Sequence, residues 1–149
     1  MLSARGKYGL KAMIHLAELQ GAGGIQGAAI AEAQQIPKKF LDTILLELKN
    51  SGLVHSKKGK GGGYSLARPA ARISVGQIMR ILDGPLAAIP CASASAYRPC
   101  LDCEDEAACQ VRRLMAQVRD ATAEILDGTT LASLISNSSA QRIILNYDI

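Results

Sequence analysis

Apolar side chains recur along the first third of the chain at three- and four-residue steps, the spacing that places them on one face of a helix. Over residues 4–20, Tyr8, Leu10, Met13, Ile14, Ala17 and Leu19 supply such a face. Lys7, Lys11, Glu18 and Gln20 lie opposite, and Gly21-Ala22-Gly23-Gly24 ends the run. An alanine-rich helix follows from Ala28 to Gln34. It is broken by Gln35-Ile36 ahead of Pro37, a residue suited to the first position of a new helix. From Pro37 onward, Phe40, Leu41, Ile44, Leu45 and Leu48 define a buried stripe, while Lys38, Lys39, Asp42, Glu47 and Lys49 stay outside and Asn50-Ser51-Gly52 closes the helix. The period then shortens. Leu53-Val54-His55-Ser56 reads as a strand, 57–63 as a lysine-glycine loop and Tyr64-Ser65-Leu66 as the returning strand. A helix, a turn, a second helix and a hairpin over 25–66 predict a winged helix-turn-helix. The fold class is therefore mainly α, with a small two-stranded wing.

Beyond the wing, Ser74 is a good N-cap for a helix over 75–82 with Ile78, Ile81 and Leu82 inward, and Asp83-Gly84-Pro85 ends it. Residues 86–105 show neither period and carry Pro90 and Pro99, so they form a loop held by something other than a core. From Glu106 to Asp127 the helical period returns. Val111, Leu114, Met115, Val118, Ala121, Ile125 and Leu126 line one stripe, opposed by Arg112, Arg113, Arg119, Asp120 and Glu124. That stripe offers more apolar surface than one winged helix can cover, and it is read as a homodimer seam. A dimer would carry paired recognition helices to the half-sites of a pseudo-palindromic operator. Gly128 is expected to cap this helix and Thr129 to start a short one through Leu134. The expected organisation is a DNA-binding domain over 1–84, a cysteine-rich loop over 85–105, the dimerisation helix and its short successor over 106–135, and a tail over 136–149 that is first rich in serine and then apolar.

Charge sharpens this picture. The 149 residues carry a net charge of +4, but residues 1–72 hold 11 Lys/Arg against 4 Asp/Glu, and residues 73–149 hold 6 against 9. The halves are thus +7 and −3, and a basic front half is the footprint of a polyanion binder. With one Phe and four Tyr the chain has little to stack on single-stranded bases, which points to duplex DNA. Lys38, Lys39, Asp42 and Thr43 are expected to face the major groove. Lys57, Lys58, Lys60 and the turn at Gly61 and Gly62 are expected to lie against phosphates or in the minor groove. Lys7 and Lys11 are further candidates for backbone contacts. No apolar run approaches the length of a membrane span and no signal-peptide core is present, so a cytoplasmic protein is expected. No Ser/His/Asp set, phosphate loop or carboxylate pair stands out, and catalysis is not expected. His15 has no Cys or carboxylate at ligand spacing and reads as a packed or partly exposed histidine.

Four cysteines, Cys91, Cys100, Cys103 and Cys109, fall within nineteen residues, and none lies elsewhere. In a reducing compartment a structural disulfide is disfavoured, which leaves a metal or cluster site or a thiol switch. Zinc would favour two close pairs, whereas only Cys100 and Cys103 form one. Four thiolates on an irregular loop also suit an iron-sulfur cluster. Spacing alone leaves zinc and cluster open.

Gly6-Lys7-Tyr8-Gly9-Leu10-Lys11-Ala12-Met13 resembles the opening helix of the IscR/NsrR/CymR family of bacterial winged-helix transcription regulators. Asn50-Ser51-Gly52-Leu53-Val54 and Lys58-Gly59-Lys60-Gly61-Gly62-Gly63-Tyr64 resemble its wing, and Val75-Gly76-Gln77-Ile78 the helix after it. The resemblance extends from the first helix to about Leu134. It implies a homodimeric DNA-binding repressor or activator whose cluster loop precedes the dimerisation helix, so that cluster state alters the placement of the recognition helices. Cys91, Cys103 and Cys109 fall where cluster-binding members carry three cysteines, which favours iron-sulfur over zinc. Where some members place a ligating histidine this chain has Arg112, and where others use a first-helix side chain it has Lys7 and Lys11. Cys100 is the natural replacement, giving all-cysteine ligation of a two-iron two-sulfur or four-iron four-sulfur cluster. The alternatives are a zinc- or thiol-based sensor of the same fold and a small iron-sulfur electron carrier, which would have no use for a basic wing.

Overall fold

A computed structural model describes residues 2–138 of the chain. In order, α1 spans Ala4–Glu18, α2 Gly27–Gln34, α3 Lys38–Asn50, β1 Val54–Lys57, β2 Gly63–Leu66, α4 Val75–Asp83 and α5 Gln110–Gly128. A sixth helix, α6, covers 131–138. Short 3-10 turns stand at Ala70–Arg72 and Pro90–Ala92.

The core forms where α1 crosses α3 and α4. Ala12, Met13, Leu16 and Ala17 meet Leu41, Ile44, Leu45 and Leu48 of α3 and Ile78 and Leu82 of α4, and Leu131 at the start of α6 closes the same cluster. Each fully buried aliphatic side chain of this size contributes about 1.5–3 kcal/mol. Helices α1 and α4 approach so closely that a Cβ on Gly9 would lie 2.0 Å from a methyl of Leu82. Local signals set the ends. The Ser3 hydroxyl accepts the Gly6 N–H at 3.0 Å. Ser74 and Gln77 form a reciprocal capping box at 3.2 Å in both directions. Gln35, in the left-handed region at φ 53°, closes α2, and Pro37 serves as the N-cap of α3, one position outside the helix rather than within it.

The wing is antiparallel, pairing Val54 with Leu66 through to Lys57 with Gly63. Ile25 and Tyr64 exchange two backbone hydrogen bonds of 2.8 Å, so the segment before α2 docks on the free edge of β2.

Periodicity overstated burial at two places. Leu19 is 36% exposed and Phe40 39% exposed, and the Phe40 ring meets Tyr8 edge-on with centroids 5.6 Å apart. Helix α5 starts at Gln110 rather than Glu106, because the Asp105 carboxylate accepts the N–H groups of Ala107 and Ala108 at 3.0 and 3.4 Å and holds a turn there. Gly128 is the last residue of α5. A bridge from Thr130 to Ser74 then intervenes before α6, which begins at 131 instead of Thr129. No residue of α5 is buried: Val111 is 63%, Leu114 55%, Val118 43% and Ile125 66% exposed. Most of the expected tail, including Ile143 to Tyr147, lies outside the described residues. Among the described residues no helix is long and apolar enough to cross a membrane.

Candidate functional site

The first surface to build is that of α3 and the wing. The amphipathic pattern of α3 buries its leucine and isoleucine face, which leaves Lys38, Lys39, Asp42 and Thr43 exposed together on its first turns. Lys38 Nζ donates to Asp42 Oδ1 at 2.5 Å, and Thr43 Oγ1 donates to the Lys39 carbonyl at 3.3 Å. A base edge bound by Lys38 or Asp42 must therefore compete with that exposed i, i+4 pair, a small cost for a solvent-screened interaction. On the wing, Lys57, Lys58, Lys60 and Gly61 are exposed. Gly62 is buried: a Cβ there would lie 2.2 Å from the Lys57 carbonyl oxygen, so this position shapes the loop. Gly63 has φ +125°, and its Cβ would fall 2.5 Å from the Ile25 carbonyl, so only glycine permits the docking of residue 25 on the wing. Gln26 adds a side-chain hydrogen bond of 3.1 Å from Nε2 to the Gly62 carbonyl. Of the two lysines proposed on α1, Lys7 is exposed, whereas Lys11 is half-buried and donates from Nζ to the Gln34 carbonyl, where it satisfies the end of α2. Gln34 in turn pairs with His15 Nδ1 at 3.2 Å, which gives that histidine a local partner.

The second surface is the cysteine loop. All four cysteines line one pocket of about 240 Å³, together with Asp102, Glu106 and Arg112. All four are free thiols: Cys91 is buried in the turn at Pro90–Ala92, Cys103 and Cys109 are half-buried, and Cys100 is exposed. Cys109 is the N-cap of α5, its sulfur accepting the Arg112 N–H at 3.4 Å. Cys100 Sγ donates to Asp102 Oδ1 at 2.8 Å, which raises the Cys100 thiol above its ordinary pKa and lowers that of Asp102. Burial, then the neighbouring Cys109, pushes the Cys103 thiol up. Among the described residues no three His, Cys, Asp or Glu side chains stand in a metal-holding arrangement. The donor set nevertheless fits a tetrathiolate centre in kind and number, since four cysteines line one cavity. Tyr97 steadies the loop by donating its hydroxyl to both Glu106 oxygens at 2.6 and 2.7 Å.

Two arginines bind this loop to α5. Arg112 Nε donates to the Cys91 carbonyl at 2.9 Å, and Arg119 Nη1 donates to the Ala92 carbonyl at 2.5 Å. Residues 112 and 119 lie two turns apart on one helix face. Sequence reasoning placed both among the polar positions of α5 and missed this use of them, because a backbone carbonyl as acceptor leaves no mark in the sequence. The other end of α5 is fixed to α4. Arg80 makes a two-pronged pair with Asp127 at 2.5 and 2.9 Å, which holds the Asp127 carboxyl below its ordinary pKa. The Val75 N–H donates to the Thr129 carbonyl at 2.8 Å, and the Leu131 N–H to the Ile73 carbonyl at 3.0 Å. One helix thus carries the backbone of a cysteine at its start and the helix that seats α3 at its end.

A recognition helix with an exposed polar face, a basic hairpin beside it and a thiol-lined loop ahead of an uncovered helix define a winged-helix DNA-binding regulator. The chain belongs to the Rrf2 family, whose model, described as that of an iron-dependent transcriptional regulator, matches residues 2–137. An Rrf2-like helix-turn-helix transcriptional regulator of Rhodobacter capsulatus is 40% identical over 139 residues, covering 91% of this chain and 93% of the relative. The transcriptional regulator CymR of Bacillus subtilis is 35% identical over 141 residues, covering 95% of this chain and 94% of the relative. The solved structure of CymR, titled the global cysteine regulator of B. subtilis, superposes with a TM-score of 0.76 over 92% of this chain and 97% of that one, at 35% identity. The structure of IscR from T. potens gives 0.74 over 93% and 88%, at 30% identity. The family resemblance read from the opening helix and wing thus holds along nearly the whole chain. The relatives are transcriptional regulators, and this chain is a transcriptional regulator, not an enzyme.

Proposed function

We propose that this regulator binds a pseudo-palindromic duplex operator as a homodimer, and that an iron-sulfur cluster held by Cys91, Cys100, Cys103 and Cys109 controls that binding. The observation that carries the reading is the pocket at the N-terminus of α5 that all four cysteines line. When bound, the cluster supplies a link among four thiolates that oxidants, nitric oxide or iron shortage can break. The rest is the work of the chain. Arg112 and Arg119 tie the Cys91–Ala92 backbone to α5, and Arg80 and Asp127 tie the end of α5 to α4, which packs against α1 and α3. A change at the thiols therefore has a route to the recognition helix, hydrogen-bonded as far as α4 and carried from there by packing. Val111, Leu114, Val118 and Ile125 form the exposed stripe along which a second copy would pack. Lys38, Lys39, Asp42 and Thr43 read bases, while Lys57, Lys58, Lys60 and the exposed Gly61 turn meet the backbone and Gly62 holds that turn in shape.

Protein purified without oxygen is expected to show broad sulfur-to-iron charge-transfer absorption, with iron and sulfide in proportion, and Cys100→Ser is expected to lose both. A protein colourless even after reconstitution with iron and sulfide would sink the cluster. Unchanged colour in Cys100→Ser would remove Cys100 from the ligand set. One observation favours a second reading, a regulator that senses through its thiols directly: all four cysteines are free, and Cys103 interacts with Cys109. Metal analysis separates the two.

A further inference from the structure

Between the end of α3 and the wing lies a hollow of about 390 Å³ whose lining includes Lys49, Lys57, Lys58, Gln26, Ser56 and Tyr64. Among the described residues no carboxylate lines it. Lys57 and Lys58 belong to the wing already described, but Lys49 comes from the last turn of the recognition helix and is exposed. Three lysines lining one hollow put like charges near each other, a repulsion that an anion bound there would relieve. The other walls offer uncharged hydrogen-bonding side chains from Gln26, Ser56 and Tyr64. The hollow sits between α3 and the wing, the two elements proposed above to address DNA.

We infer that this hollow is a phosphodiester site on the DNA strand, and that Lys49 is a phosphate-binding residue of the protein. The inference rests on the reading of α3 and the wing as the DNA-binding face and extends that face to the far end of the helix. The competing role for Lys49 is purely structural, a cation offsetting the dipole at the helix C-terminus. The two roles differ in what they do to salt dependence.

The test uses the full-length protein and its variants Lys49→Gln and Lys49→Arg, titrated against an operator duplex and an unrelated duplex of equal length at several salt concentrations. Each phosphate contact adds about 0.9 to the slope of log affinity against log salt. Lys49→Gln is therefore expected to flatten the slope by roughly 0.9 per bound protomer on both duplexes. Its disadvantage relative to the parent should shrink about 3.5-fold per contact when salt rises fourfold, and Lys49→Arg should keep the parent slope. Thermal melting of Lys49→Gln should stay close to that of the parent. A parent slope retained in Lys49→Gln while the parent binds DNA would overturn the inference and leave the DNA-binding face intact, as would a loss confined to the operator, which would mark a base contact. Failure of the parent itself to bind any duplex in a salt-dependent way would overturn the DNA-binding reading and this inference with it.

Discussion

The winged-helix body and helix α5 have similar amphipathic patterns and opposite fates. In α3 the stripe Leu41, Ile44, Leu45 and Leu48 is no more than 1% exposed, whereas in α5 the stripe Val111, Leu114, Val118 and Ile125 is 43–66% exposed. Apolar periodicity therefore identifies a face that needs covering without saying what covers it. The body covers its own faces. Helix α5 is held by polar contacts, two arginines of its first half on carbonyls and an ion pair with two backbone hydrogen bonds at its C-terminal end, and its apolar face stays exposed.

Substitutions in the two regions should separate them, and the largest effect belongs to the body. Leu45→Ala removes a fully buried side chain and is expected to cost about 2–5 kcal/mol in denaturant unfolding. Leu114→Ala on α5 should change the stability of an isolated protomer by no more than about 0.5 kcal/mol. Equal losses at the two positions would erase the contrast. Next in size is Val118→Glu. In a two-fold symmetric seam the charge enters twice, and at about 1.4 kcal/mol per tenfold it should weaken self-association roughly a hundredfold or more, read by sedimentation, with secondary structure unchanged. Undiminished association would place the dimer contact elsewhere.

Arg119→Ala ranks third, with about 1 kcal/mol expected for the loss of one hydrogen bond. Its signature should be local: faster amide exchange across 90–98 while the amides of α1 and α3 keep their protection. The smallest effect is that of Asp127→Asn. The Asp127 carboxyl has a depressed pKa in the folded protein, so the pair with Arg80 adds stability above the unfolded carboxylate value of about 3.9 and loses it as pH falls through the folded value. Because both partners are exposed, the gain should stay under about 1 kcal/mol, present at about pH 6 and lost as the pH falls through the depressed folded value.

The helices of the body were legible because burial writes a period into the sequence, and the wing because lysine and glycine cannot fill a core. The close fit at Gly9 and Gly63 was not, since a glycine that makes room looks like one that merely turns. The spacing of Phe40 matches the core stripe, yet its ring ends on the rim against Tyr8. A charged side chain on a helix face normally reaches solvent, which makes Lys11 look free for DNA, whereas it donates to the Gln34 carbonyl at the end of α2. In the cysteine loop the four sulfurs could be named from their clustering. That Arg112 and Arg119 anchor the loop could not, because their acceptors are carbonyls on a segment with no period of its own.

The most direct test compares the affinity of the anaerobically purified protein for a duplex that it selects from random sequence with that of the same sample after its iron is removed by a chelator. A thiol-held cluster coupled through α5 to α3 predicts a change of roughly 5–150-fold, the usual range for coupled sites, and loss of that change in Cys91→Ser. Superimposable binding curves before and after removal would contradict control of DNA binding by the four-cysteine centre.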